Sequence, residues 1–333
     1  MRYFPVLAVA AGIAAMVALV WRLGAVAVLH SLVAIGGLGF ASVCLIHIAL
    51  IALMGLAWSS LLPGTRPWVA VWGRFVRDAG SEVLPLSQVG GYVLGTRAVA
   101  LAGVPPTRGA ASTIVDVTLE FLGQIAYVAL GLAWLVHLDD ATIAPGLVAT
   151  GLAVAGALAA AFIVVQRRGV RHVHRIAHIL GRGWAERTAA GAAALHAALD
   201  AIYRRRGGVW ASFLLHFACW IASASEIWVA LRCAGQPIPF GSALVIESLV
   251  YALRTAAFVV PNAMGVQEGA YVLLGAGFGL GPEMALALSL LKRARDLAIG
   301  LPVLALWQAI EGGRLSRRLA AKASTAPVSG RDA

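Results

Sequence analysis

Long apolar runs, interrupted by short polar segments, dominate the chain. Several runs contain roughly 20 residues or more with almost no charge, the length that a helix needs to cross the hydrocarbon core of a bilayer. Because lipid offers the backbone no hydrogen-bond partners, and because the runs lack the alternation of barrel strands, they should be helical. The sequence predicts an all-α integral membrane protein with about six full spans, at residues 3–21, 38–62, 108–137, 142–165, 210–232 and 283–310.

Two further apolar stretches, 67–103 and 241–281, are each interrupted in the middle by residues that end helices. Both interruptions, Leu84–Gly91 and Val260–Gly269, contain one proline and two glycines. The flanking segments of roughly 12 to 19 residues are short for a span. We therefore predict two re-entrant helical hairpins buried among the full spans, with Val260–Gly269 inside the membrane region rather than on a surface loop.

The two interrupted stretches resemble each other. Pro85 and Pro261 are 176 positions apart, and so are Pro106 and Pro282. Counting spans from a cytoplasmic N-terminus gives the two halves opposite orientations, which is the inverted repeat typical of secondary transporters. The alternative is a pair of unrelated glycine-rich helix packings, since glycine is common in membrane helices. The predicted single membrane domain, 1–333, comprises a first half at 38–165, a basic cytoplasmic loop at 166–209, a second half at 210–310 and a cytoplasmic tail at 314–333.

Composition and charge agree with a membrane location. The chain is 60% apolar and only 12% charged, whereas soluble domains carry about a quarter charged residues. Much of its net charge of +11 comes from arginines in Arg167–Arg206 and in the tail, while the turn at Asp139 has no basic residue. This asymmetry predicts cytoplasmic termini, with anionic phospholipid headgroups rather than nucleic acid as the partner. Apolar residues among those arginines predict an interfacial amphipathic helix.

Charged residues within the predicted spans are candidate functional groups, since charge is costly in lipid. Asp116, Glu120 and Gln124 are spaced four apart and form one polar stripe on a helix face. The equivalent span of the second half carries a largely basic group, made up of Lys292, Arg293, Arg295 and Asp296. If the halves pack about a pseudo-two-fold axis, the stripe and the group can meet. They would form either ion pairs that hold the halves together or a polar translocation path.

The interruptions supply further candidates. Four polar side chains lie beside the predicted helix ends: Gln88, Asn262, Gln267 and Glu268. Unpaired backbone N–H groups at helix N-termini attract anions. Arg97 and Arg254, in or near the hairpins, either hold a phosphate by bidentate contacts or only cap carbonyl groups and reach the interface. Glu226 and Glu247 are single acids in apolar segments, and each is either a proton site or a hydrogen-bonded packing residue.

No motif indicates an enzyme, a metal or a cofactor. The sequence contains no nucleotide-binding loop, no HExxH and no GxSxG. His174 and His178 are spaced for one helix face but have no Cys, Asp or Glu beside them to complete a metal site. The three cysteines form neither a disulfide framework nor a metal-binding spacing. We therefore predict no catalytic residue, no cofactor and no metal.

Three segments carry a resemblance to a known family. Leu84–Gly91, read as LPLSQVGG, resembles the LPxxQxGG-type element of the lysylphosphatidylglycerol synthase transmembrane (flippase-like) family. Asp116–Glu120 fits the same family, and Pro261–Gly269 is similar to its PGGxGxQEG element. The resemblance covers nearly the whole chain and is strongest to hopanoid-biosynthesis-associated membrane proteins of the HpnL type. Departures occur at Tyr92, where many relatives have an acid, and at Asn262 and Ala263, which replace two glycines.

The resemblance implies a bacterial inner-membrane protein that moves a lipid, or a lipid-linked precursor, across the bilayer. Lysylphosphatidylglycerol synthases add a soluble aminoacyl-transfer domain after this module, and the present chain is similar to the transporting module alone. We therefore predict a lipid flippase or transporter, with hopanoid-related lipids among its candidate substrates. The alternative is a membrane-embedded lipid-modifying transferase, or an accessory subunit of a lipid-synthesis complex. The predicted path residues are Gln88, Arg97, Asp116, Glu120, Arg254, Asn262, Gln267, Glu268, Arg293 and Asp296.

Overall fold

The structure is a computed structural model that describes residues 14, 17–84, 87–137, 182–257 and 260–324. Every element within these ranges is helical, and they contain no strand, which confirms the predicted all-α class. The helices are α1 (Ala25–Ser59), α2 (Pro67–Val83), α3 (Ser87–Leu101), α4 (Pro106–His137), α5 (Arg182–Arg204), α6 (Arg206–Cys233), α7 (Phe240–Ala256), α8 (Val266–Ala276) and α9 (Pro282–Ser324). A 3₁₀ turn, Pro261–Ala263, lies between α7 and α8.

Among the described residues, three helices, α1, α4 and α6, are long and apolar enough to cross a membrane. They contain most or all of the predicted spans 38–62, 108–137 and 210–232. Helix α1 begins before the predicted span, at Ala25, but its backbone is non-helical at Gly36, so the segment after this kink begins close to the predicted residue 38. Gly36 has φ 72° and ψ 174°, a conformation that glycine adopts without a steric penalty.

The other predicted spans have different outcomes. The span at 283–310 lies within α9, but charged residues between Lys292 and Asp296 interrupt its apolar character, and α9 is not among the three apolar helices. The spans at 3–21 and 142–165 lie wholly or mostly outside the described residues, as does the turn at Asp139.

Both interrupted stretches form pairs of short helices, as the sequence predicts. Helices α2 and α3 contain 17 and 15 residues, and α7 and α8 contain 17 and 11. At about 1.5 Å per residue each is shorter than a hydrocarbon core of about 30 Å. The breaks fall at the expected places, between Val83 and Ser87 and between Ala256 and Val266. The pair α2–α3 therefore cannot be a single straight span, and neither can α7–α8.

Glycines set the close approach of α2 and α3. A Cβ atom placed on Gly91 would lie 2.0 Å from Oγ of Ser81 and 2.4 Å from the carbonyl oxygen of Arg77. One placed on Gly95 would lie 2.9 Å from the carbonyl oxygen of Gly73. Small residues at such positions allow backbones to pack directly against each other, which is how helices associate in lipid.

The helices pack in two sets with corresponding contacts, α1 to α4 and α6 to α9. Within each set, the first helix contacts the second, the second contacts the third and the third contacts the fourth. Between the sets, α1 packs on α6, α2 on α9 and α7 on α4, and α6 packs on α4 as α1 packs on α9. Each of these contacts in one set thus has a counterpart in the other.

Helix α5 covers the first set from outside. Its side chains Leu199 and Ile202 are buried in a core that includes Trp58 of α1 and Leu119 of α4. The predicted amphipathic segment Arg167–Arg206 is therefore helical from residue 182 onward, while residues 167–181 lie outside the described part of the chain.

Candidate functional site

Six ionisable side chains from three helices form what we call the first ion cluster. Helix α2 supplies two arginines and one aspartate, α4 supplies two carboxylates one turn apart, and α6 supplies a histidine. The members are Arg74, Arg77, Asp78, Asp116, Glu120 and His216.

The first ion cluster is tightly paired. Two nitrogens of Arg74 lie 2.9 and 2.7 Å from the two carboxylate oxygens of Glu120, and its Nε lies 2.9 Å from Asp78. Arg77 donates to Asp116 at 2.7 Å and also to Glu120. Nε2 of His216 lies 2.9 Å from Asp116, whose side chain is 0% exposed. Bidentate, charge-assisted bonds of this kind offset the cost of burying the charges.

A second ion cluster lies among α1, α6, α7 and α9. Its members are His47, Glu226, Glu247, Lys292, Arg295 and Asp296. The amine of Lys292 lies 2.6 Å from Glu247 and 3.3 Å from Glu226, and Arg295 pairs with both Glu226 and Asp296. Glu247 also accepts a hydrogen bond from Tyr271 of α8.

The structure corrects the expectation that the acidic stripe of α4 pairs with the basic group of α9. Asp116 and Glu120 pair with Arg74, Arg77 and His216, whereas the basic residues of α9 pair with Glu226, Glu247 and Glu268. The reason is that two arginines of α2, Arg74 and Arg77, meet the carboxylates of α4, while Glu247 of α7 meets the basic group of α9. Gln124, the last residue of the stripe, donates instead to Oγ1 of Thr255 on α7 at 2.7 Å.

The ends of the two broken pairs touch each other. At the end of α2, the backbone carbonyl of Glu82 accepts a 2.9 Å hydrogen bond from Nδ2 of Asn262. The carboxylate of Glu82 lies 3.3 Å from Arg254 near the end of α7, and Arg254 lies at the same distance from Oδ1 of Asn262. We call this group of three residues the tip contact. It brings the predicted site residues Arg254 and Asn262 together.

The segment that precedes and begins α8 is packed in the protein interior. Gln267 and Glu268 are 2% and 0% exposed, and the other described side chains from Val260 to Gly269 are buried or half-buried. Glu268 accepts a hydrogen bond from the backbone nitrogen of Gly265 at 2.7 Å and pairs with Arg293. Gln267 donates to Oγ of Ser289 at 2.8 Å. The predicted burial of this segment within the protein agrees with the structure.

Two residues before α8 have a glycine-like backbone. Asn262 and Ala263 have φ values of 51° and 45°, the left-handed region that glycine adopts freely. For alanine this conformation is strained, and strained backbone is concentrated at functional sites.

Two predicted site residues do not join these groups. The side chain of Arg97 is 55% exposed and pairs with Glu311 of α9, so it lies outside both ion clusters and the tip contact. The side chain of Gln88 lies outside the described residues. Conversely, the sequence did not identify Arg77, His47 or His216 as ion-pair partners of the buried carboxylates. The charges of α2 do not show which helix they meet, and a lone histidine in an apolar run gives no signal of its contacts.

A narrow cleft connects the three groups. It lies between α1, α2 and α9 and is lined by His47, Ile51, Phe75, Asp78, Ala79, Glu82, Asp296, Ile299 and Gly300. Asp78 belongs to the first ion cluster, Glu82 to the tip contact, and His47 and Asp296 to the second ion cluster. The cleft is therefore the place where ionisable groups of all three face a common space.

The apolar helices and the buried charge clusters define a multi-pass membrane protein of wholly helical fold in its described part. The family model of the lysylphosphatidylglycerol synthase TM region matches residues 6–303. The chain belongs to this family, which points to a membrane lipid-related function. No curated protein and no solved structure matched the chain.

Proposed function

We propose that this protein is a lipid flippase or transporter, not an enzyme, and that it moves a lipid or lipid-linked precursor across the bacterial inner membrane. Hopanoid-related lipids are candidate substrates. The observation that carries the proposal is the tip contact, in which the ends of two broken helix pairs meet beside a cleft. Broken helices that meet between two halves of a membrane protein form the substrate sites of secondary transporters.

The packing supports an inverted repeat of six full spans and two re-entrant hairpins. Helices α1 to α4 and α6 to α9 pack in the same order, as expected if the sets arose from one ancestral unit. The short helices of each broken pair suit hairpins that enter and leave on one side, since non-spanning backbone is tolerated where protein surrounds it. The two sets would then be related by an axis in the membrane plane, with the tip contact near that axis.

The pairing distances indicate where the two sets separate. The first ion cluster contains bonds of 2.7 to 2.9 Å between arginines and carboxylates, and in the second Lys292 lies 2.6 Å from Glu247. The ion pair of the tip contact, between Arg254 and Glu82, is longer at 3.3 Å, and the side chain of Glu82 is half-buried. Because longer, partly exposed pairs contribute less, the tip contact is the part of the interface that opens, and Arg254 can then bind a lipid phosphate.

The proposed orientation has both termini and the basic segment 166–209 in the cytoplasm. Arg204, Arg205 and Arg206, at the junction of α5 and α6, are exposed. Exposed arginines at the edge of a membrane domain suit contact with anionic phospholipid headgroups. Labelling of single cysteines introduced near Arg205 and near Asp139 should find them on opposite sides of the membrane.

Reconstitution tests the proposed function. The protein is placed in liposomes that contain fluorescent phosphatidylglycerol or a fluorescent polyisoprenyl phosphate, and the leaflet distribution is followed by a membrane-impermeant quencher. Wild type should move at least one probe, and R254Q should slow this about tenfold, as expected from the loss of one charge-assisted contact. The matched control R97Q removes an exposed arginine outside the tip contact and should move the probe at the wild-type rate. If the probe instead stays in its original leaflet and its mass changes, the protein has modified it chemically. That result would support the alternative, a lipid-modifying transferase.

A further inference from the structure

The two ion clusters contain the same set of charges. Each combines two cationic side chains, three carboxylates and one histidine. The histidines are exchanged between the two helix sets: His216 of α6 pairs within the first ion cluster, while His47 of α1 pairs within the second. Each histidine is therefore the group that one set contributes to the charge cluster of the other.

The charge count leaves each cluster one proton short of neutrality. Two cations against three carboxylates give one uncompensated negative charge, which is costly in a buried, low-dielectric site. A proton on the histidine removes that imbalance. Histidine is also the side chain that ordinarily gains or loses a proton between about pH 5 and pH 8.

The two histidines differ in their exposure. The side chain of His47 is 21% exposed and lines the cleft, whereas that of His216 is 0% exposed. Among the described residues, Nδ1 of His216 has no hydrogen-bond partner. A proton there would leave a buried, unpaired N–H group. In the first ion cluster the excess negative charge costs less without a proton on the histidine, because Asp78 is 21% exposed and faces the cleft.

The ring of His47 is placed to receive a proton at a specific atom. Nδ1 lies 2.8 Å from Glu226, so a neutral ring donates its proton there. Nε2 then presents a lone pair to Asp296 at 3.8 Å. A proton taken from water in the cleft onto Nε2 replaces that repulsion by an ion pair and attracts α1 towards α9. The other charges around the ring are Lys292 and Arg295 from α9, behind Glu226, and Asp78 and Glu82 from α2, across the cleft.

We infer that the second ion cluster is a proton-binding site, in which His47 takes up one proton from the cleft. We further infer that this uptake, by closing α1 on α9 beside the tip contact, drives lipid movement. The second part rests on the proposed function, and the first does not. A proton is the only co-substrate required, and it is bound at Nε2 and released to the opposite aqueous side without chemical change.

Nuclear magnetic resonance tests proton binding directly. The protein, labelled with ¹⁵N-histidine, is placed in lipid nanodiscs and titrated, with H47Q and H216Q identifying the two signals. On acidification the His47 signal should change from neutral to cationic at a pH at which the His216 signal does not change. In E226Q one carboxylate charge beside the ring is removed, so the same change of the His47 signal should need a higher proton concentration than in wild type. A His47 signal that stays constant, or that follows His216, would overturn the inference.

Liposomes with an imposed pH gradient then test the coupling. Movement of the fluorescent probe by wild type should respond to the gradient, movement by H47Q should not, and the control H196Q, an exposed histidine on α5, should behave as wild type. If His47 titrates but wild type moves no probe, the proposed function fails and the proton site stands. If wild type moves the probe at the same rate with and without the pH gradient, the inference that proton uptake drives lipid movement is wrong.

Discussion

The two ion clusters have matching charges, but their histidines differ in exposure. The first is enclosed by α2, α4 and α6, with its histidine fully buried and Arg77 held against the ring of Tyr92 at 4.6 Å. In the second, His47 itself lines the cleft. The comparison shows that the same ionic groups can serve two purposes: a cluster whose histidine is buried fixes helix positions, whereas one whose histidine is partly exposed can exchange a proton.

The largest expected effect on stability comes from removing one cation from the first ion cluster. R77L leaves Asp116 and Glu120 buried with one cation fewer, which should reduce the free energy of unfolding by about 3 to 5 kcal/mol. Thermal unfolding in detergent, followed by size-exclusion chromatography, measures this effect. The exposed position 97 supplies the control, since R97L should unfold near the wild-type temperature. Equal behaviour of R77L and R97L would show that the first ion cluster does not stabilise the fold.

Exchange of partners distinguishes the observed pairing from the one that the sequence predicted. The double variant D116R/R77D restores opposite charges within the first ion cluster and should recover part of the stability that each single variant loses. The double variant D116R/R293D should recover none, because Arg293 pairs with Glu268. A double-mutant cycle gives the coupling energies, and the expected difference is about 0.5 to 3 kcal/mol. Rescue by the second pair would restore the original prediction.

A smaller effect should follow from disturbing the backbone that carries Arg77. The added methyl group of G91A would collide with the carbonyl oxygen of Arg77 itself, at 2.4 Å, and should cost about 1 to 3 kcal/mol. The neighbouring G90A meets no atom within 4 Å and should be neutral or stabilise the helix by up to about 1 kcal/mol. If the clusters are separate units, G91A should leave the His47 resonance titration unchanged. A shift of that titration would show that the clusters are coupled.

The sequence predicted the helices better than their contacts. Apolar runs and helix-breaking residues determine local structure, so the breaks after Val83 and Ala256 and the boundaries of α4 and α6 were predictable within a few residues. The part of α1 before the kink at Gly36 was not predicted, because a glycine that interrupts a helix does not show whether the chain before it is also helical.

The ion pairs could not be predicted because spacing along a helix shows which residues share a face but not which helix that face meets. Asp116 and His216 are 100 positions apart, and His47 and Glu226 are 179 apart. The charges of α2 and the acid Glu247 of α7 were visible, yet nothing local assigned them to α4 and α9. The tip was more predictable, because Asn262, Gln267 and Glu268 are polar residues at a helix break.

The central claim is that the cleft between α1, α2 and α9 opens and closes while lipid moves. Phe75 of α2 and Ile299 of α9 line this cleft and carry no charge, so cysteines at both positions, in a background without the native cysteines, can be joined by a short reducible cross-linker. Leaflet-resolved movement of the fluorescent probe is then measured before cross-linking, after it and after reduction. The account predicts that cross-linking stops movement and that reduction restores it, while each single cysteine variant is unaffected by the reagent. Movement at an unchanged rate with the cleft cross-linked would contradict it.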